Sequence, residues 1–252
     1  MTLKGKSALI TGSTSGIGLG FARALAAEGV HIMLNGLGDA GEIEKTRAAL
    51  AKETGVTVLY SPANMMKGGE ITAMVGEAVK AFGGVDILIN NAGIQHVAPI
   101  DEFPDDKWEA IIRINLVAAF YAIKAALPSM KARGWGRIIN LSSAHALVAS
   151  PYKSAYVAAK HGISGLTKTV ALEVAQQKIT VNAIAPGYFA TELNTALLQD
   201  EAFTKWVEGR TPLGRWAKPE ELGGAVVFLA SDAASYVNGH VLAVDGGLSV
   251  SI

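Results

Sequence analysis

Short runs in which nearly every position is apolar alternate along this chain with longer stretches carrying an apolar stripe. The short runs fall at 7–11, 30–35, 56–60, 85–90, 136–141, 179–185 and 240–244. They have strand length, and a strand that is apolar throughout is one covered on both faces. The longer stretches at 17–28, 41–52, 69–82, 107–133, 152–176 and 219–230 have the period of amphipathic helices. Regular alternation of the two predicts the α/β class: a doubly wound parallel sheet in a single domain covering residues 1–252. One segment breaks the rhythm. Residues 188–217 are polar and aromatic, and an insertion after a late strand of such a sheet predicts a substrate lid.

Composition narrows the function classes. Half of the residues are hydrophobic and 17% are charged, enough apolar material for a large core. Lysine plus arginine equals aspartate plus glutamate at 22 each, with no basic block, so neither nucleic acid nor an anionic membrane surface is expected as a partner. The absence of cysteine removes disulfides and thiolate chemistry. His31, His96, His145, His161 and His240 have no ligand-like spacing, so no metal is expected. The first apolar run is short and no run reads as a membrane span; a cytoplasmic protein is the expectation.

The first predicted strand ends in Thr11-Gly12-Ser13-Thr14-Ser15-Gly16-Ile17-Gly18 and opens a helix. Glycines there let the backbone approach a pyrophosphate, and the helix N-terminus supplies N–H donors, a Rossmann-type dinucleotide site. Asn90-Asn91-Ala92-Gly93 follows the fourth strand, Ser143 the fifth, and Tyr156 and Lys160 share one face of a helix. A nearby cation favours phenolate, which would let a tyrosine serve as a base. Tyr-x-x-x-Lys also arises by chance on helices, so the pair by itself leaves both readings open.

Taken in order with Asn115, Pro186-Gly187 and Asp245-Gly246-Gly247, these motifs resemble the short-chain dehydrogenase/reductase family over essentially the whole chain. The resemblance implies an oxidoreductase interconverting a secondary alcohol and a ketone. Tyr156 would transfer the hydroxyl proton, Ser143 hold the substrate oxygen, Lys160 bind the ribose and lower the phenol pKa, and Asn115 support a proton-relay water. The implied cofactor site comprises Gly12, Thr14, Ser15, Gly16, Ile17 and Gly18, then Asn35 and Leu37 after the second strand. It continues with Asn64, Asn91, Ala92, Gly93, Tyr156, Lys160, Pro186, Gly187 and Thr191. The second strand ends Leu34-Asn35-Gly36-Leu37, with neither an acid for ribose hydroxyls nor a base for a 2′-phosphate; lack of a phosphate partner favours NAD. Asp39, spaced to Glu42 as a helix cap, is read as structural.

Within the family, residues 1 to about 180 resemble D-3-hydroxybutyrate dehydrogenases, and the remainder resembles gluconate 5-dehydrogenases. The former resemblance implies that Gln95, His145 and Lys153 hold the substrate carboxylate beside Ser143, Tyr156 and Tyr188. Each also has an ordinary reading, as a turn glutamine, a loop histidine and a solvated lysine at a helix start. A small hydroxy acid and its keto acid, with D-3-hydroxybutyrate first, is the expected substrate pair. A sugar-acid oxidoreductase, a 3-oxoacyl-thioester reductase and a non-catalytic dinucleotide sensor stay open. The resemblance further implies a homotetramer packed through the helices at 107–133 and 152–176.

Overall fold

The structure, a computed structural model, describes residues 3–251. Seven strands form one wholly parallel sheet in the order β3-β2-β1-β4-β5-β6-β7. They are β1 (Ser7–Ile10), β2 (His31–Asn35), β3 (Val58–Ser61), β4 (Ile87–Asn90), β5 (Gly136–Leu141), β6 (Ile179–Pro186) and β7 (Val241–Val244). The helices are α1 (Gly16–Ala27), α2 (Ala40–Thr54), α3 (Gly68–Phe82), α4 (Asp105–Ile112), α5 (Ala118–Arg133), α6 (Ser154–Val174), α7 (Thr195–Gln199), α8 (Glu201–Arg210) and α9 (Gly223–Ala230).

Side chains alternate across the sheet, and the core divides accordingly. Ile10, Ile32, Leu34, Ile87 and Ile89 pack on one face with Phe21 and Leu25 of α1 and Val226 and Leu229 of α9. Leu9, Met33, Leu88 and Ile138 pack on the other with Met74 of α3, Ala122 and Ala126 of α5, and Val170 and Val174 of α6. Both faces are thus covered, which is why the strands read as unbroken apolar runs. Strand order reverses between β1 and β4, and the strands' carboxyl ends open there into a crevice.

Three elements differ from their sequence expectation. The helix expected at 107–133 is interrupted by a π turn, Arg113–Val117, where Ala118 N–H donates to the Arg113 carbonyl. The whole stretch Asp105–Arg133 has membrane-spanning length and apolarity, a property hidden from inspection by its scattered charges. It lies within the fold, with α5 against α3 and α4 against α6. The helix expected from residue 152 begins at Ser154, because Tyr152 takes a left-handed backbone. Residues 188–217 hold two short helices, α7 and α8, where only irregular chain was expected. Asp200 caps α8 by accepting from Ala202 N–H and Phe203 N–H. The segment closes on itself at its base, with Ala190 N–H donating to the Ala217 carbonyl and Ala217 N–H to the Tyr188 carbonyl.

Candidate active site

The turn from β1 into α1 has almost no room for side chains. Gly12 and Gly16 have φ of 61° and 55°, in the left-handed region. A Cβ on Gly18 would stand 2.3 Å from the Gly12 carbonyl oxygen and 2.5 Å from Asn91 Nδ2. Asn91 in turn donates through Nδ2 to the carbonyls of Thr11 and Gly12, which ties the β4 loop to the glycine turn. Ser15 at the N-cap of α1 makes no side-chain cap, so the first N–H groups of the helix remain for a ligand.

A cleft of about 470 Å³ runs from this turn across the carboxyl ends of the strands. Its adenosine end is walled by Thr14, Ser15, Gly36, Leu37, Ala63, Asn64 and Met65, with no lysine or arginine. Ile17, Ala92, Gly93, Pro186, Gly187 and Thr191 continue the wall toward Tyr156 and Lys160. A bare glycine turn, an uncapped helix N-terminus and a long cleft at the switch point together fit a dinucleotide.

Two expected cofactor residues prove to have structural duties as well. Asn35 is 1% exposed. Its Oδ1 accepts from Gly12 N–H, and its Nδ2 donates to the carbonyls of Ser61 and Ala63. That side chain ties three strand ends together, leaving Leu37, at 65% exposure, as the side chain presented at the mouth. Asn64 accepts Met66 N–H at Oδ1, so its NH₂ end is what remains for an adenine. Asp39 does cap α2, accepting from Glu42 N–H at 2.9 Å.

At the other end of the cleft, Ser143 and Tyr156 stand together, the serine hydroxyl near enough to the phenol to lower its pKa. Ser143 accepts His145 N–H at 3.1 Å. Burial pushes the Tyr156 phenol above its ordinary value, and Ser143 pulls the other way. Lys160 stands one helical turn along α6 from Tyr156 and is buried. Its ammonium lies 5.5 Å from the Tyr156 ring centroid and donates to the Leu141 carbonyl at 2.6 Å. Burial holds Lys160 itself down at about 8.

Asn115 is buried, and its carboxamide accepts Ile94 N–H and donates to the Ile94 carbonyl. It therefore acts on the cleft through the backbone beside Gln95. Gln95, His145, Lys153 and Tyr188 line the cleft with Ser143 and Tyr156, so the structure brings the expected substrate residues together. Burial, with Lys153 nearby, holds the His145 imidazole down at about 4, hence neutral near pH 7. Burial lowers Lys153 as well.

Sequence reasoning missed Met65, Ile114 and Asn194, which also line the cleft. Met65 and Ile114 are apolar, and apolar residues on such a wall carry no local signal. The aromatic density of 188–216 was a usable one. Tyr188 meets Phe203, Trp206 and Trp216 at ring separations of 5.8, 5.9 and 5.4 Å, and His145 at 6.3 Å. The insertion thus has a small aromatic core that reaches His145 on the floor of the cleft.

Comparison with known proteins agrees with this geometry. A family model described as enoyl-(acyl carrier protein) reductase matches residues 12–249. The chain is 51% identical to a D-beta-hydroxybutyrate dehydrogenase of Cupriavidus necator, over 97% of this chain and 98% of that protein. It is 40% identical to a gluconate 5-dehydrogenase of Gluconobacter oxydans, over 100% and 97%. A solved gluconate 5-dehydrogenase of Burkholderia cenocepacia, in complex with NADP and tartrate, superposes with a TM-score of 0.94 at 41% identity, covering 100% and 98% of the two chains. Both likenesses run the length of the chain.

Proposed function

Since the chain belongs to the short-chain dehydrogenase/reductase family, and is an oxidoreductase of that family, we propose that it oxidises D-3-hydroxybutyrate to acetoacetate with NAD. The observation that carries this reading is the company of Tyr156: a lysine, a neutral imidazole and an amide, from Lys153, His145 and Gln95, line the same cleft. A small acid offers few handles besides its carboxylate, and a cation flanked by neutral donors fixes its orientation. NAD is favoured over NADP by the adenosine end of the cleft, where no cation is available for a 2′-phosphate.

The chain's part in the reaction follows from its acid and its hydrogen bonds. What the nicotinamide supplies, when bound, is a hydride acceptor for oxidation and a donor for reduction. In oxidation Tyr156 as phenolate takes the hydroxyl proton while Ser143 steadies the oxygen; in reduction the neutral phenol returns it. Lys160 is suited to the ribose hydroxyls, and Asn115 holds the 94–95 backbone in register. The segment 188–217 is assigned as a lid that excludes water, and the protein is taken to work as a cytoplasmic homotetramer.

Lys153→Ala tests the carboxylate reading. A lost charge-assisted hydrogen bond of about 1.5–3 kcal/mol lowers kcat/KM for D-3-hydroxybutyrate by roughly one to two decades. The methyl ester of the same alcohol should lose little. Equal losses on acid and ester would make Lys153 structural.

A further inference from the structure

Gln95 and Lys153 sit on separate loops, and a single backbone hydrogen bond joins the two. Gln95 lies on the stretch leaving β4, which Asn115 grips at Ile94. Farther along that stretch, Ala98 N–H donates to the Tyr152 carbonyl at 3.0 Å. Gln95 is therefore fixed between two clamps, and the second clamp is the residue immediately before Lys153.

Tyr152 is an unusual residue for that duty. Its φ is 64°, a left-handed value shared only with Lys178 among the described non-glycine residues. Pro151 followed by a left-handed residue is the order of a type II turn, which prefers glycine or asparagine where Tyr152 stands. The Tyr152 side chain is 59% exposed, so burial of the ring does little to offset the strain. A strained residue with little packing of its own is held by what its backbone does. Here its carbonyl meets Ala98, and the next residue, Lys153, joins the wall of the cleft.

We infer that Tyr152 is a positioning residue for substrate choice: its left-handed backbone, clasped to Ala98, sets Lys153 relative to Gln95 and so tunes the site to a carboxylate. The inference rests on the carboxylate reading above, not on which hydroxy acid is used. Nothing in it requires the phenol ring.

The test separates backbone from ring. Tyr152→Gly and Tyr152→Asn delete the ring and keep easy access to the left-handed region, whereas Tyr152→Val resists that region and Tyr152→Ala lies between. The full chain is assayed on whichever of D-3-hydroxybutyrate and D-gluconate it oxidises faster, and on the methyl ester of that acid. The inhibition constant of butyrate gives a binding readout besides turnover.

The glycine and asparagine variants should stay within about twofold of the unmodified KM, while valine raises KM and the butyrate constant by about tenfold, the scale set by left-handed strain. The kcat and the ester KM should barely move. Losses in the glycine or asparagine variant as large as those in valine would overturn the inference, as would a silent valine variant or equal losses on acid and ester. If the valine variant does not fold, alanine against glycine decides in the same way. Lys153→Ala, measured alongside, keeps the two claims apart. No preferential loss on the acid there defeats the carboxylate reading itself; a preferential loss with Tyr152→Val silent defeats only the positioning role.

Discussion

In the proposed reaction Tyr156 concentrates the chemistry in one oxygen atom, and its surroundings set the direction in which pH acts. Burial raises the phenol, so the neutral form dominates near pH 7 and suits proton donation to a ketone. Oxidation needs the phenolate and should therefore accelerate as pH rises through the alkaline range, while reduction stays flat until the phenol begins to ionise. Replacing Tyr156 with phenylalanine deletes the transferable proton and little else. Turnover should fall by about two to four decades while cofactor affinity, followed by fluorescence quenching, stays near its original value. A variant that binds and turns over normally would remove Tyr156 from the mechanism.

Elements explain why some of the site was legible in the sequence and some was not. The turn between β1 and α1 was readable because glycine spacing, a strand before and a helix after are all local signals. Gly18 shows the physical reason, since any Cβ there would strike the Gly12 carbonyl. Gly18→Ala should accordingly weaken NAD binding by at least about tenfold while leaving the two core faces intact, a contrast that titration calorimetry and thermal melting would reveal together. Retention of full NAD affinity would show that the glycine turn does not cradle the cofactor.

Other features depend on distant partners. Asn35 reads from sequence as part of the cofactor site, yet its three hydrogen bonds to Gly12, Ser61 and Ala63 exist only once the sheet is assembled. The π turn around Asn115 is likewise invisible to a helical periodicity. Lys160 was legible as a partner for Tyr156, but not its choice of the Leu141 carbonyl. The helix α8 was hidden because its aromatic residues Phe203 and Trp206 pack on Tyr188, and α7, at five residues, is too short to show a helical period.

At the scale of the whole molecule, a sheet buried on both faces supports a cleft at the carboxyl ends of its strands, and the cleft's buried base links stability to pH. His145 is held at about 4, against an ordinary value of 6.5. The folded state therefore binds fewer protons than the unfolded chain between those values, and stability is complete above about 6.5 and declines as pH falls toward 4. Melting temperatures followed from pH 7 to pH 4 should drop, and His145→Gln should flatten part of the decline; an unchanged slope in that variant would assign the loss to other groups. The same cleft decides the reaction, and two readings of it differ in both substrate and cofactor. The direct measurement is kcat/KM of the unmodified chain for D-3-hydroxybutyrate and for D-gluconate, each with NAD and with NADP. The highest value is expected for D-3-hydroxybutyrate with NAD; a higher value for gluconate with NADP would overturn the proposed function.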